Sequence, residues 1–214
     1  CGKLLDPTDL LEPRCGTCGS TPVARSTEHL YLDLPAILPK LQEWMADAAE
    51  RGFWAKNAIQ MTRSWIRDGL HERGITRDLK WGTPVPKAGF EDKVFYVWFD
   101  APIGYVSITA THTDSWESWW RNPENVELFQ FIGKDNIPFH TIIWPAMLMA
   151  YGNLNLPYDV PANEYMNLDG FKLSTSRNWA IWLPDYLDRY EPDPLRYVIA
   201  ASMPETSDSD FSWR

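Results

Sequence analysis

Cysteine is scarce in this sequence: three residues in 214, at Cys1, Cys15 and Cys18, all near one end. An odd, clustered set does not make the paired framework of a small secreted domain, so a reducing compartment and metal binding are the expectation. Basic side chains are also few. Lysine and arginine number 20 against 29 aspartates and glutamates, for a net charge of −9. A protein that wraps nucleic acid by charge alone is basic, so any such contact must be local. No apolar run reaches the roughly 20 residues a bilayer requires, and no secretory leader is visible. The chain starts with Cys1 rather than Met, so a preceding part is expected. Internal repeats and low-complexity tracts are lacking too. What is present is globular: hydrophobic residues make up 44%, enough to build a real core, and tryptophan occurs 12 times.

Cys15-Gly-Thr-Cys18-Gly is a Cys-x-x-Cys-Gly knuckle, whose glycines let backbone amides turn toward thiolate sulfur. Cys1-Gly2 looks like the trailing end of a second one. Structural zinc takes four ligands, so Cys1, Cys15 and Cys18 imply a fourth elsewhere. A redox pair or no metal at all are the alternatives. The redox version opens a helix, which Gly/Thr/Pro-rich surroundings do not favour.

Two apolar stripes at helical spacing predict two helices between residues 34 and 70. Leu38, Leu41, Trp44, Met45 and Ala48 form one, closed by Arg51-Gly52; Trp54, Ala58, Met61, Trp65 and Ile66 form the other, closed by Gly69. Both read as core contacts. His29 and His71 stand apart from other ligand-type residues and read as structural or surface histidines. Residues 71–92, punctuated by Gly82, Pro84, Pro86 and Gly89, read as a linker.

Two strands are then expected, each running into a helix. Lys93–Phe99 is a nearly continuous apolar run, as in a strand covered on both faces, and ends at Asp100 before a helix from about Pro102. Val126–Ile132 is the second, broken at Gly133, with Asp135 or Asn136 capping a helix that Pro138 opens. Phe139, Ile142, Ile143, Ala146, Met147 and Ala150 share one face of that helix, and Pro145 within it predicts a kink. In an open α/β sheet such corners lie where ligands bind. Asp135 either caps its helix or accepts hydrogen bonds from ribose hydroxyls of a ligand that Gly133 lets approach. Two corners side by side would make a pocket lined by Trp98, Ala101, Pro102, Tyr105, Phe139, His140 and Trp144; core filling is the other role for these side chains. Trp116, Trp119 and Trp120 read as a surface helix. Further on, Glu164–Leu168 reads as a short strand, and Asp169–Asn178 as a polar loop, solvated or gripping phosphates. A helix is expected from Asp193-Pro194 through Ala201, then an acidic, irregular tail from Pro204.

In order along the chain, several segments resemble the methionyl-tRNA synthetases, which are class I aminoacyl-tRNA synthetases. They are Phe95-Tyr-Val-Trp-Phe-Asp-Ala-Pro-Ile-Gly-Tyr105, Phe131-Ile-Gly-Lys-Asp135, Phe139-His140, Trp144-Pro-Ala-Met147, Phe171-Lys-Leu-Ser-Thr-Ser176-Arg177 and Asp193-Pro-Leu-Arg-Tyr197. The cysteine knuckle before Ser26-Thr-Glu-His-Leu30 fits too, and Asn163-Glu-Tyr165 matches the archaeal and eukaryotic-like type. The resemblance implies an α/β fold, the second half of a Rossmann-type parallel-sheet nucleotide-binding domain with a small zinc-knuckle insertion remnant at the N-terminus. Residues 1–33 would be the end of the connective insertion, 34–183 the half-domain with its helical segment 34–70, and 184–214 the start of the helical region that follows.

The implied activity is ATP-dependent activation of methionine to methionyl-adenylate and its transfer to the 3′ end of initiator and elongator methionine tRNA. A cytoplasmic setting without a membrane partner goes with it. Trp98, Ala101, Pro102, Tyr105, Phe139, His140 and Trp144 match the methionine pocket, whose aromatic edges suit a polarisable thioether. Gly133 and Asp135 match ribose-binding positions. Lys172, Ser174, Thr175 and Ser176 match the catalytic loop, with Lys172 and Thr175 at the ATP phosphates. Structural zinc on Cys1, Cys15 and Cys18, and magnesium arriving with ATP, are also implied.

Two departures stand out. The family's His-Ile-Gly-His motif is not among these residues, so the N-terminal half of the same domain is an expected partner and the chain alone is expected not to aminoacylate. The Lys-Met-Ser-Lys-Ser signature stands here as Lys172-Leu-Ser-Thr-Ser176, with Thr175 in place of the second lysine. A different class I synthetase, or a non-catalytic tRNA-binding or regulatory relative, is the alternative reading. A hydrogen bond to a charged group contributes about 1.5–3 kcal/mol, so in the protein carrying this chain Thr175→Lys is expected to speed adenylate formation by roughly ten- to a hundred-fold. An unchanged single-turnover rate would show that Thr175 does not limit the step.

Overall fold

The two apolar stripes between residues 34 and 70 fold as helices in the computed structural model, which describes residues 11–15, 18–52 and 54–213. After the short strand β1 (Tyr31–Leu32) come α1 (Leu34–Arg51) and α2 (Lys56–Asp68). Leu41, Met45 and Ala48 of α1, Trp54, and Ala58 of α2 are buried, as their spacing requires. Gly69 follows α2 with φ at 93°, a backbone angle that a side chain would strain. Next are β2 (Arg73–Gly74), β3 (Thr76–Arg77), β4 (Val94–Phe95), α3 (Val97–Asp100), α4 (Ile103–His112) and α5 (Trp116–Trp120). The remainder holds β5 (Ile132–Gly133), α6 (Trp144–Tyr151), β6 (Ala162–Asn163), β7 (Met166–Leu168), β8 (Phe171–Lys172), α7 (Leu183–Leu187), α8 (Pro192–Ala201) and β9 (Ser209–Phe211). Two compact units divide the chain: Cys1–Leu38 with Leu70–Asn122, and Pro39–Gly69 with Pro123–Arg214.

In the first unit β1 pairs antiparallel with β2, and β3 with β4. Residues 71–92 are therefore built structure and not the expected linker; strands of two residues are too short to print a period on the sequence. The expected strand Lys93–Phe99 is also corrected. Only Val94 and Phe95 find strand partners, and the Ala101 N–H donates to the Val97 carbonyl at 2.8 Å, closing a helical turn. A continuous apolar run does not by itself separate strand from helix. Val97 and Trp98 stand exposed on this unit. Segment 27–30 is pinned by polar contacts: the fully buried Thr76 hydroxyl accepts the Leu30 N–H at 3.1 Å and meets His29 Nδ1 at 2.9 Å, while Lys93 donates to Thr27 at 3.0 Å and to Asp78. His29 is thus the structural histidine expected, and His71 is exposed.

The second unit contains a β–helix–β crossover. β5 lies parallel to β6, with Ile132 opposite Ala162 and Gly133 opposite Asn163. Backbone bonds from Tyr158 to Leu128 at 2.8 Å and from Gln130 to Asp159 at 3.0 Å carry the pairing back to Leu128. The expected strand Val126–Ile132 is corrected: β5 holds only Ile132 and Gly133, Phe129 makes an isolated bridge to Asp159, Gly133 lies within the strand instead of breaking it, and the segment is covered on one face only. Alternation leaves Gln130 5% exposed and Phe131 80% exposed, the reverse of their polarity. Ile132 packs against Met45, Ala48, Trp54 and Val160, and against Ala58, Ile137 and Ala162.

After β5 comes a 3₁₀ turn, Lys134–Asn136, then a π turn, Phe139–Ile143, leading into α6. The Trp144 N–H donates five residues back to the Phe139 carbonyl. Pro145, which has no N–H to give, stands in the first turn of α6 directly after this widened turn, a place where a helix tolerates proline. The fully buried hydroxyls of Thr62 and Thr141, 2.7 Å apart, tie α2 to the π turn.

β7 and β8 form a hairpin around Asp169-Gly170, whose φ values of 48° and 79° suit the primed turn that matches strand twist. β9 pairs parallel with β7, giving the order β8-β7-β9. Residues 204–214 therefore include a paired strand and are not merely the irregular tail expected; a partner some 40 residues away leaves no local mark.

The C-terminal end of α1 approaches the chain at Tyr158 closely. A Cβ on Gly52 would lie 1.9 Å from the Tyr158 carbonyl oxygen, which also accepts the Trp54 indole N–H at 2.9 Å. Gly52→Ala is expected to lower stability by roughly 1–3 kcal/mol, read from urea unfolding. An unshifted midpoint would show that this approach relaxes without cost.

Candidate functional site

Strand β5 ends at Gly133, and Asp135 lies in the 3₁₀ turn that follows, outside the carboxyl end of a parallel pair. The matching end of β6 leads to Glu164 and Tyr165, and the β7–β8 hairpin returns the chain to Lys172. Asp135 Oδ1 accepts the Tyr165 hydroxyl, and Oδ2 accepts Lys172 Nζ at 3.3 Å. The Lys134 and Lys172 ammonium groups each lie over the Tyr165 ring, 3.9 Å from its centroid. These are cation–π distances.

A second layer of charge sits beside the first. Lys134 Nζ donates to Glu164 Oε2 at 2.6 Å and to Asp208 Oδ1 at 2.7 Å. Asp208 Oδ1 also accepts the Tyr165 backbone N–H at 2.9 Å, and Glu164 Oε1 accepts Asn57 Nδ2 at 2.8 Å. The Tyr165 hydroxyl, and then the Lys172 ammonium, hold Asp135 below the usual carboxylate range. Tyr165 and Asp135 in turn push Lys172 up. Asp208 and Glu164 raise Lys134, whose ammonium holds Asp208 down. Asp135, Asp208, Lys134 and Lys172 are therefore charged at neutral pH.

Gly133, Asp135, Lys172 and Thr175, the four expected nucleotide residues, thus fall in one unit, and Lys172 touches Asp135 directly. The Lys172–Ser176 segment is largely exposed and locally ordered: Ser174 and Trp179 exchange backbone hydrogen bonds of 2.8 and 2.9 Å, and the Ser174 and Ser176 hydroxyls lie 3.2 Å apart. Thr175 opens a 3₁₀ turn, Thr175–Arg177, and is exposed.

The residues expected to meet methionine divide between the two units. Phe139, His140 and Trp144 belong to the second, where His140 and Trp144 are buried and the Phe139 and His140 rings meet edge-on at 5.9 Å. Trp98, Ala101, Pro102 and Tyr105 belong to the first; Pro102 is buried, and burial raises the Tyr105 phenol. Asp100 lies in the α3 turn instead of at a strand end, its Oδ2 accepting the Thr83 hydroxyl at 2.7 Å.

The Cys15 carbonyl accepts the Gly19 N–H and the Cys15 N–H donates to the Ser20 carbonyl, both at 2.8 Å. This closes a tight turn carrying Cys15, half-buried, and Cys18, exposed, a donor pair whose chemistry suits zinc. Cys1 lies outside the described residues. Among the described residues no group of three or more His, Cys, Asp or Glu is arranged to hold a metal. A cavity of about 460 Å³ in the first unit, bordered by Asp78, Glu91, Asp92 and Lys93, includes none of the expected site residues.

Sequence reasoning missed Tyr165, Lys134, Glu164, Asn57 and Asp208. Lys134 was in view within the Phe131–Asp135 motif and Asn163-Glu-Tyr165 as a marker of a type, and only the β5–β6 register gives them a common place. Asp208 carried no signal.

Burial pushes the His140 imidazole below the ordinary histidine range, and its Nδ1 donates to the Asn136 carbonyl at 3.0 Å. Burial does the same to His29. The unfolded chain then binds more protons than the folded one below about pH 6.5, so stability falls on acidification from there downward. The depressed carboxylates of Asp135, Asp208 and Asp78 add to this only at lower pH. Urea midpoints are expected to drop between pH 7.5 and 5.5, and to drop less in His140→Gln and His29→Gln; an equal drop in both variants would remove these histidines as the cause.

The family model for tRNA synthetases class I (M) matches residues 1–214. A methionine–tRNA ligase of Treponema denticola is 54% identical over all of this chain, which spans 28% of that protein. A methionine–tRNA ligase of Roseiflexus castenholzii is 52% identical over all of the chain, which spans 38% of it. The crystal structure of Mycobacterium tuberculosis methionyl-tRNA synthetase bound by methionyl-adenylate aligns with 94% of this chain and 38% of its own, at 25% identity and a TM-score of 0.71. The chain thus spans roughly a third of the length of these relatives, and the α/β fold expected from the sequence is the one they share. Matched along its whole length and about half identical to its relatives, the chain belongs to the class I tRNA synthetases (M).

Proposed function

We propose that the protein carrying this chain is a methionine–tRNA ligase, and that this chain supplies part of its ATP site and residues for methionine. The single observation that carries the reading is the contact of Lys172 with Asp135 at the end of β5, which joins the two segments assigned to ATP. The relatives' activity, at about half identity, supports it.

The reaction is two displacements. A methionine carboxylate oxygen attacks the α-phosphorus of ATP, and pyrophosphate leaves with its electron pair. A hydroxyl at the 3′ end of the methionine tRNA then attacks the acyl carbon, and AMP leaves. No covalent enzyme intermediate is needed, so the protein positions reactants and offsets charge. In this reading Asp135 accepts the ribose hydroxyls and Gly133 leaves room for the sugar. Lys172 and Thr175 serve the phosphates, and Ser174 and Ser176 hold the loop. Trp98, Ala101, Pro102, Tyr105, Phe139, His140 and Trp144 are assigned to methionine. His140 is held in this position by its Nδ1 bond to the Asn136 carbonyl, and burial favours its neutral form.

Magnesium, entering with ATP, supplies phosphate charge neutralisation. Cys15 and Cys18, with Cys1, are the zinc ligands in this reading. Residues 1–33 are assigned to the connective insertion, 34–183 to the half-domain and 184–214 to the following helical region. Initiator and elongator methionine tRNAs, the cytoplasm and the N-terminal half of the domain complete it. Thr175 favours a second reading, a non-catalytic relative that binds tRNA.

Methionine-dependent ATP–pyrophosphate exchange by the protein carrying this chain separates the two. The ligase predicts exchange, with the KM for ATP rising about ten-fold or more in Asp135→Asn, since a charged acceptor is lost. No exchange would favour the non-catalytic relative.

A further inference from the structure

Each carboxylate oxygen of Asp135 has a partner without any nucleotide. One carboxylate oxygen takes the Tyr165 hydroxyl and the other the Lys172 ammonium. A ribose diol would offer the same carboxylate two hydroxyl donors, so the protein's own groups stand where the ligand's would. We infer that Tyr165 is a positioning residue for nucleotide binding: it seats Lys172 on Asp135 as a stand-in donor, which ribose displaces and so releases toward the phosphates. The inference rests on the proposed nucleotide role of Asp135.

Three features support it. Lys172 and Asp135 are both more than half exposed, so their ion pair is held weakly and exchanges readily. Lys134, over the same ring, is not equivalent. It is 20% exposed and bonded to Glu164 and Asp208, so it is the more firmly held of the two, whereas Lys172 is 56% exposed with Asp135 as its carboxylate partner. Lys172 also lies at the edge of its sheet, on β8, one residue from the loop that continues to Thr175. With threonine at Thr175, Lys172 is the lysine left in the segment to meet phosphate, and a device that delivers it only once ribose is seated couples binding to charge placement. The Tyr165 hydroxyl orients Asp135, and its ring holds the ammonium. Those roles are separable by substitution.

The test uses the protein carrying this chain, with adenosine as a probe that has ribose but no phosphate. Lys172→Met is expected to bind adenosine several-fold more tightly by calorimetry, because the stand-in is gone, while its exchange turnover falls by about ten-fold or more for want of the charged donor. Tyr165→Phe keeps the ring and is expected to change mainly the KM for ATP, whereas Tyr165→Leu loses the ring and is expected to lower kcat as well. Circular dichroism identifies any variant that has not folded, and Tyr165→Phe changes one atom only. Unchanged or weaker adenosine binding in Lys172→Met overturns the inference, as do identical kinetics in Tyr165→Phe and Tyr165→Leu. Absence of exchange in the unsubstituted protein overturns the ligase reading, and this one with it; exchange with any of the former results overturns this one alone.

Discussion

The parallel register of Ile132-Gly133 on Ala162-Asn163 is the constraint from which the site follows. Each strand ends at the same level, so the residues just beyond, Lys134 and Asp135 on one side and Glu164 and Tyr165 on the other, emerge beside each other. A slip of one residue would turn every one of these side chains to the opposite face. The register is held by Ile132, which packs into clusters built from α1, α2 and the chain around Val160. Backbone bonds back to Leu128 lengthen a pairing that two residues alone would not sustain.

Two kinds of ion pair meet at this corner, and exposure separates them. Lys134 sits among Glu164, Asp208 and the backbone of Tyr165, with Glu164 held by Asn57 from α2. Lys134 and Glu164 in that network are largely shielded, and Asp208 draws β9's approach segment against the β6–β7 junction. Asp135 and Lys172 are open to solvent, where an ion pair contributes little to stability. The same property makes them suited to exchange partners with a ligand. The corner is therefore a firm base carrying a loosely held top.

The helix beyond Asp135 shows a related division of labour. Proline at 145 and the buried Thr141 hydroxyl, which donates to the Ile137 carbonyl at 2.8 Å, coincide with a π turn. A widened turn shifts the side chains that follow relative to a regular helix, and such turns recur at functional positions. Phe139 and His140 lie within it. Thr62, bonded to Thr141 from α2, braces the turn from behind.

Much was legible in the sequence. The stripes ending at Gly52 and Gly69 marked two helices because burial of one helical face prints a 3.6-residue period. Gly133 and Asp135 marked a corner, and Asp169–Asn178 a turn-rich polar segment, because turn chemistry is local. Short strands were not legible: β2, β3 and β9 hold two or three residues each, and their partners are distant in the chain. The run Val94–Phe99 was equally apolar as strand or helix, and only its hydrogen bonds separate them. Sequence by itself determined the family and the helical faces, since these depend on ordered motifs and spacing. Tertiary structure alone decided that Tyr165 lies between Asp135 and two lysines, and that Asp208 closes the network from the far end of the chain, because a contact between segments 30 to 74 residues apart is set by the register of the sheet and leaves no trace in either segment.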